Sequence, residues 1–559
     1  MQTNWYDIVW QYTTQLVGIR SVSPGQGENM VAEEVLRLLH AGGLESVYTA
    51  SGLDPIVGDA YGRQNAYAFL RGESPRTVVL LGHIDTVDTV DYGPLEPWAL
   101  DPDGLAEQQD ALAELVPGLT EDLAGYPGDW MLGRGVVDMK SGVAATIAVM
   151  RHLAEMAREE PPPLSVVLLA TPDEENESAG ILQAVRFLLR LREQYGLEYL
   201  GTLNTDYTSA RYVGDQHRYI YTGTAGKLLP SFLVIGRESH VGEPFNGVDA
   251  NLLAAELVRD LSMNDELCDV VRGQITSPPV TLHASDLKTH YDVQLPFVAY
   301  FYLNVLTFST TPAELLARLC LRAGEVLKHT LQRIDEAERR WIVRGSSDAK
   351  RVEQLKARSG TVLTYAELCA GVVQRLGQKR MDDELSAAWD SCPDGLDARE
   401  RSLHLVRHLW TLSGKQGPAV VIYYSPPYYP HVAATPCQLH EVVTTLATAH
   451  PELNLEVHEY YPYISDMSYL RLDPHMDLTA LTDNIPIWQE PGTPARAGSY
   501  TLPLAAIQQL GLPVVNLGSY GRGVHQRGER VLMSYSFGVL PQLLYEVIDQ
   551  LGQLNEESS

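Results

Sequence analysis

The stretch LSVVLLATPDEENESAG, residues 164–180, limits most sharply what this chain can fold into. It opens as an apolar, β-branched run and closes with Asp173, Glu174, Glu175 and Glu177 inside five positions. A short run of that kind, bounded by turn residues, reads as a strand buried on both faces. Like charges at its end raise one another's pKa, so the acids are either solvated on a loop or gathered around something positive.

The surrounding pattern repeats the motif of a buried strand followed by a helix. ENMVAEEVLRLLHAGG reads as an amphipathic helix closed by glycines, TVVLLGHIDTV as a buried strand, GVAATIAVMRHLAEMAREE as a helix and ILQAVRFLLRLREQYG as another. Strands separated by helices of this length imply an α/β layer with a largely parallel sheet. Pro161, Pro162 and Pro163 fall between a helix and a strand and read as a loop.

After about residue 217 the texture changes. LLPSFLVIG, DANLLAAELVRDL, PPVTLHA, FVAYFYLNVLTF, a long helical pattern from AELLARLCL and then PAVVIYYS give a β-α-β-β-α-β order. That order suggests a small split α/β domain inserted into the first. Between its second helix and its last strand lies the polar stretch VRGSSDAKRVEQLKARSG, followed by further helix. The α/β texture returns near residue 455, and the tail LNEESS is expected to fray. The division expected is therefore 1–217, an insert at 218–430 and 431–559.

Charge narrows the partners. A formal net charge of −29 argues against nucleic acid or an anionic membrane and mildly favours cationic substrates or metal ions. No window approaches the ~20 apolar residues of a membrane span. The amino-terminal segment has no basic residue before Arg20 and no uninterrupted apolar core, unlike a secretory leader. Five scattered cysteines without CxxC spacing read as reduced thiols, and a cytoplasmic location is expected.

Ligands of open α/β sheets gather at the carboxyl ends of strands. Metal-type residues stand at four such ends: His83 and Asp85 after TVVLLG, Asp138 before a helix, the acids of PDEENES, and Asp206 after LEYLGTLN. His525 lies on the glycine-rich loop GSYGRGVH. Taken singly, each is better read as a helix cap, a surface histidine or a solvated acid. Taken together, two histidines and several carboxylates at successive strand ends suit a pair of zinc ions.

The pieces LLGHIDTV, GRGVVDMKSGVAA, PDEENESAG, SHVGEPFNGVDAN and NLGSYGRGVHQRGERV, in this order, resemble the family of zinc metallohydrolases that includes aminoacylases, glutamate carboxypeptidases and succinyl-diaminopimelate desuccinylases. They run from about residue 78 to 531, and their wording is most similar to the arginine-utilisation branch. The resemblance implies a zinc-exopeptidase-like α/β catalytic domain with a mostly parallel central sheet, and an inserted ferredoxin-like α+β lid or dimerisation domain. It implies two divalent metal ions, zinc or else cobalt or manganese. His83 and Asp206 would hold one, Glu175 and His525 the other, and Asp138 would bridge them. Asp85 would orient His83, and Glu174 would be the general base of amide hydrolysis. His240 of the insert would help bind the oxyanion, and in dimeric members it comes from the partner subunit. Asp173 and Glu177 would sit behind the ligands or in solvent.

One departure bears on substrate. Family inserts commonly carry an arginine that clamps a substrate carboxylate, and the corresponding strand here offers Asn304. The expectation is an amide hydrolase acting on a small amino-acid-derived substrate, through a homodimer or with the extra helices in the partner's place. The competing reading is a binding or regulatory protein that keeps the fold without the chemistry. The presence of the base and all five ligands favours the enzyme.

Overall fold

The computed structural model describes residues 4–345, 352–353, 355–493 and 496–554. The chain divides into two compact units: residues 1–225, 432–473 and 503–559 form the first, and 226–431 with 474–502 the second. Two segments thus differ from the division expected from sequence. Residues 218–225 stay with the first unit because Arg218–Tyr221 pairs with Leu455–His458, and 474–502 join the second. Of the tail expected to fray, residues 555–559 lie outside the described residues, as do all of SSDAKR and residue 354 in the polar stretch of the insert.

The first unit is built on an eight-stranded sheet. Its spatial order is Ala50–Pro55, Gln64–Leu70, Leu164–Thr171, Ser74–His83, Glu198–Asn204, Val514–Asn516, Arg218–Tyr221, Leu455–His458. Ser74–His83 is parallel to both its neighbours, and Glu198–Asn204 is parallel to Val514–Asn516. Antiparallel pairing joins Ala50–Pro55 to Gln64–Leu70, Gln64–Leu70 to Leu164–Thr171, and Val514–Asn516 to Arg218–Tyr221. All eight residues of Leu164–Thr171 are buried, as the unbroken apolar run requires of a strand covered on both faces.

Helix Lys140–Met156 is buried along its first eleven residues. Small side chains let it come that close: a Cβ on Gly142 would stand 2.3 Å from the Thr205 carbonyl oxygen. The approach matters because Thr205 precedes Asp206. Leu540–Gln553, Trp5–Val17 and Gly27–His40 add their apolar faces to the same core.

The second unit holds a five-stranded sheet in the order Val280–Asp286, Val298–Thr307, Gly226–Ile235, Ala419–Tyr429, Thr361–Thr364. The first four strands are antiparallel and carry the expected helices Ala250–Leu261 and Pro312–Gly345 between them. The fifth strand, parallel to Ala419–Tyr429, is an addition that four residues after a polar stretch do not announce. Helices Tyr365–Leu376, Gln378–Asp390 and Ala398–Ser413 pack against the buried face of this sheet through Leu368, Val372, Met381, Val406 and Leu409. Among the described residues no helix is long and apolar enough to cross a membrane. All five cysteines are free.

Candidate metal centre

Three neighbouring parallel strands stop at one edge of the large sheet. His83 is the last residue of the middle strand, Glu174 and Glu175 follow Leu164–Thr171 closely, and Asp206 follows Glu198–Asn204. Strands about 4.8 Å apart bring such residues together whatever their separation in sequence. Asp138 enters from the turn before Lys140–Met156, and His525 from the turn between Gly521–Arg522 and Arg530–Leu532. His525 is held at φ 59°, a left-handed conformation that costs a non-glycine residue energy.

The side chains converge closely. His83 Nε2 lies 3.0 Å from Asp138 Oδ1, and His525 Nε2 lies 3.2 Å from Asp138 Oδ2 and 2.9 Å from Glu175 Oε1. Three donor sets have their atoms within 4.8 Å of one another: His83, Asp138 and Asp206; Asp138, Glu175 and His525; and His83, Glu174 and Glu175. Asp138 is common to the first two.

Asp85 organises the group from behind. Its oxygens accept the backbone N–H groups of Glu174 at 3.1 Å and Glu175 at 3.0 Å. The His83 Nδ1 atom lies 3.2 Å from the Asp85 carbonyl and 3.5 Å from its carboxylate, which directs Nε2 toward Asp138. Asp173 is buried and paired with Arg63; it also accepts from Ser23 Oγ at 3.0 Å and Ala179 N at 3.1 Å. The crowd of acids after the strand is therefore resolved position by position: Asp173 meets a guanidinium, Glu174 and Glu175 face the site, and Glu177 is exposed.

Electrostatics decides what the group wants. Burial, then the nearby Asp138 charge, pushes Asp206 up to about 7. Burial also raises Glu174, with Glu175 and Asp466 adding repulsion, and raises Glu175, with Asp138 adding to it. Burial opposes a charge on His525, but Asp138 and Glu175 override it and drive the ring up to about 11. Asp138 resists its own burial because both imidazoles bond to it, and it stays well below the usual range. Without a metal, protons on the two histidines supply the positive charge that the carboxylates need. Divalent cations supply the same charge, and two imidazole nitrogens among carboxylate oxygens form a donor set suited to zinc. The residues fit the group.

His240 and Asn304 lie in the second unit. His240 is exposed, and its Nδ1 accepts the Gly242 N–H at 3.0 Å, so a neutral ring carries its proton on Nε2 as an outward donor. A Cβ on Gly242 would stand 3.1 Å from that Nδ1. Asn304 is half-buried and sits opposite Val280.

Three residues escape sequence reasoning. Asp466 is buried, accepts from Thr171 Oγ1 at 3.0 Å, and is pushed up to about 8 by burial and the Asp85 charge. Ser465 beside it is buried and accepts from Asn204 Nδ2 at 3.2 Å. Both belong to YPYISDMSYL, which lacks a preceding apolar strand. Glu529 is buried four residues beyond His525, where the run of charge in RGER reads as a solvated turn.

A model of the peptidase family M20/M25/M40 matches residues 79–482. Protein RocB of Bacillus subtilis (strain 168) is 33% identical over 510 residues, covering 89% of this chain and 86% of the relative. YqjN of the same organism is 31% identical over 566 residues, covering 99% and 98%. A succinyl-diaminopimelate desuccinylase of Wolinella succinogenes is 31% identical over 227 residues, 38% of this chain and 52% of that protein. Among solved structures, aminopeptidase PepT from Bacillus cereus ATCC 10987 superposes with a TM-score of 0.51 at 12% identity over 98% of each chain, a likeness of fold.

Proposed function

As the chain belongs to the peptidase family M20/M25/M40 and is a hydrolase, we propose that it cleaves the amide bond of a small amino-acid-derived substrate with two divalent metal ions, zinc by preference, held by the two donor sets that share Asp138. That sharing is the observation that carries the reading: a carboxylate common to two sets could offer an oxygen to each of two ions. His83 and Asp206 would hold one, and Glu175 and His525 the other. When bound, such ions supply Lewis acidity toward a carbonyl oxygen and favour ionisation of a water.

The chain's own residues do the rest. Glu174 is adjacent to Glu175 and within reach of His83, and its raised pKa suits a group that takes a proton from water and returns it to the leaving amine. Asp85 fixes the backbone of both glutamates, so the base and the ligand keep their separate directions. The resemblance supports His240 as a donor to the oxyanion that would form as the carbonyl is attacked, and the Gly242 N–H on Nδ1 leaves Nε2–H for that role.

For the substrate, the reading extends to an amide of arginine or a related cationic amino acid. The resemblance to the arginine-utilisation branch, the net charge of −29 and Asn304 support it. Asparagine hydrogen-bonds a neutral carbonyl or amide, where an arginine would repel a guanidinium. N-acyl amino acids and dipeptides assayed with zinc-, cobalt- and manganese-loaded protein test both parts. Turnover favouring cationic amides is expected. No hydrolysis with any metal would refute the enzyme, and a wide preference for N-acyl glutamate or aspartate would refute the substrate class.

A further inference from the structure

Glu529 lies four residues beyond His525, and its carboxylate is fully buried. Its Oε1 accepts backbone N–H groups from Gly135 at 2.8 Å, Val137 at 3.3 Å and Asp138 at 3.4 Å. Its Oε2 accepts Arg134 Nη1 at 2.8 Å, and its own carbonyl accepts the Gly133 N–H at 3.1 Å. Arg134 is buried too; it reaches Asp91 Oδ1 at 2.7 Å and the Asp88 carbonyl at 3.1 Å, with its guanidinium 5.3 Å from the Tyr92 ring centre. One side chain thus ties the turn 133–138 to the turn 523–530.

Those two turns carry Asp138 and His525, whose side chains meet at 3.2 Å. Neither turn is held by strand pairing at the residue that matters. The second turn keeps His525 in a left-handed conformation and is closed by Gln526 N–H to Gly523 O at 2.9 Å and Glu529 N–H to Gln526 O at 3.0 Å. Its far end is therefore anchored at Glu529. We propose that Glu529 is a positioning residue that sets the spacing between Asp138 and His525, and with it the affinity for the second of two metal ions. The inference rests on the assignment of Asp138 and His525 as ligands.

The chemistry of the side chain makes the proposal specific. Three N–H donors converge on one oxygen while a guanidinium faces the other, so every contact needs an acceptor. Glutamine has the same shape, but its NH2 must face either the backbone donors or Arg134, and donor against donor pushes the turns apart. Groups that orient metal ligands from behind typically change metal affinity ~10- to 100-fold when altered.

The test is a zinc titration of the metal-free protein against a chromophoric competing chelator, for the native chain, Glu529→Gln and Leu544→Ala. Leu544 is a buried core residue remote in role, so its truncation reports general loss of stability. The native chain is expected to take two equivalents, and Glu529→Gln to keep the first nearly unchanged while the second weakens ~10- to 100-fold. Leu544→Ala should melt earlier with both equivalents intact. Two unchanged equivalents in Glu529→Gln, or an equal loss in Leu544→Ala, would overturn the inference alone. No zinc bound by the native chain would overturn the ligand assignment together with it. Should Glu529→Gln fail to fold, Glu529→Asp carries the same test, since the shorter acid keeps the charge but cannot span both sets of partners.

Discussion

Adjacent glutamates with different duties are the finest distinction in this site. Glu175 lies 2.9 Å from His525 and belongs to a donor set with Asp138, whereas Glu174 groups with His83 and Glu175 only. Glu174→Gln should lower turnover by at least ~100-fold, the usual worth of a proton-transfer group, with metal content unchanged. Glu175→Gln should lose metal instead. Steady-state rates and metal analysis of the two variants decide it, and identical behaviour would refute the division. A second residue-scale prediction concerns His240, whose ring is aimed by the Gly242 N–H. His240→Ala should cost ~100- to 1000-fold in kcat, as loss of an oxyanion donor does. Gly242→Ala should reproduce part of that loss, because its Cβ would crowd Nδ1 at 3.1 Å. Unchanged kcat in both would make His240 a structural residue.

At the scale of elements, the site depends on how closely helix Lys140–Met156 approaches the strand end at Thr205. Gly142→Ala places a methyl 2.3 Å from the Thr205 oxygen, so helix or strand must shift. A loss of about 1–3 kcal/mol is expected from overpacking of this kind, with weaker metal binding because Asp206 moves too. A thermal melt and metal titration matching the native chain would contradict this. The same dependence explains what was legible beforehand. Buried parallel strands declare themselves as apolar runs, and the residues at their ends follow from the topology, so His83, Glu174, Glu175 and Asp206 could be found at strand ends in the sequence. Asp466, Ser465 and Glu529 could not, since each sits on a turn or at the start of a short helical turn whose place is set by contacts made hundreds of residues away. The strand Thr361–Thr364 was hidden for the same reason: its partner, Ala419–Tyr429, stabilises what four residues alone would not. The unit boundary near 474–502 also lacks a local signal, because a return of chain to an earlier unit changes no periodicity.

For the molecule as a whole, the buried acids make stability depend on metal and pH together. In the metal-free protein Asp206 is raised to about 7 and Asp466 to about 8, and Glu174 and Glu175 are raised as well. An acid raised on folding favours the folded state fully below its unfolded pKa, and that support is lost as pH climbs through the folded value. His525, raised to about 11, adds the same sign above its ordinary value. The metal-free protein should therefore lose thermal stability between pH ~4 and ~8, and zinc should restore it. A flat profile, or no shift with zinc, would contradict the electrostatic account. Self-association belongs to this scale as well. The edge strand Val280–Asp286 exposes Val280 and Leu282, and we propose it as the surface through which two copies would pair. Sedimentation should give a dimer, and a monomer at every concentration would refute that pairing. The central claim, two ions sharing one carboxylate, is tested most directly by counting metal in the zinc-loaded native chain and in Asp138→Ala. The account predicts about two zinc ions per chain in the first and loss of both tightly held ions in the second; a native chain that holds none, or an Asp138→Ala variant that still holds two, would contradict it.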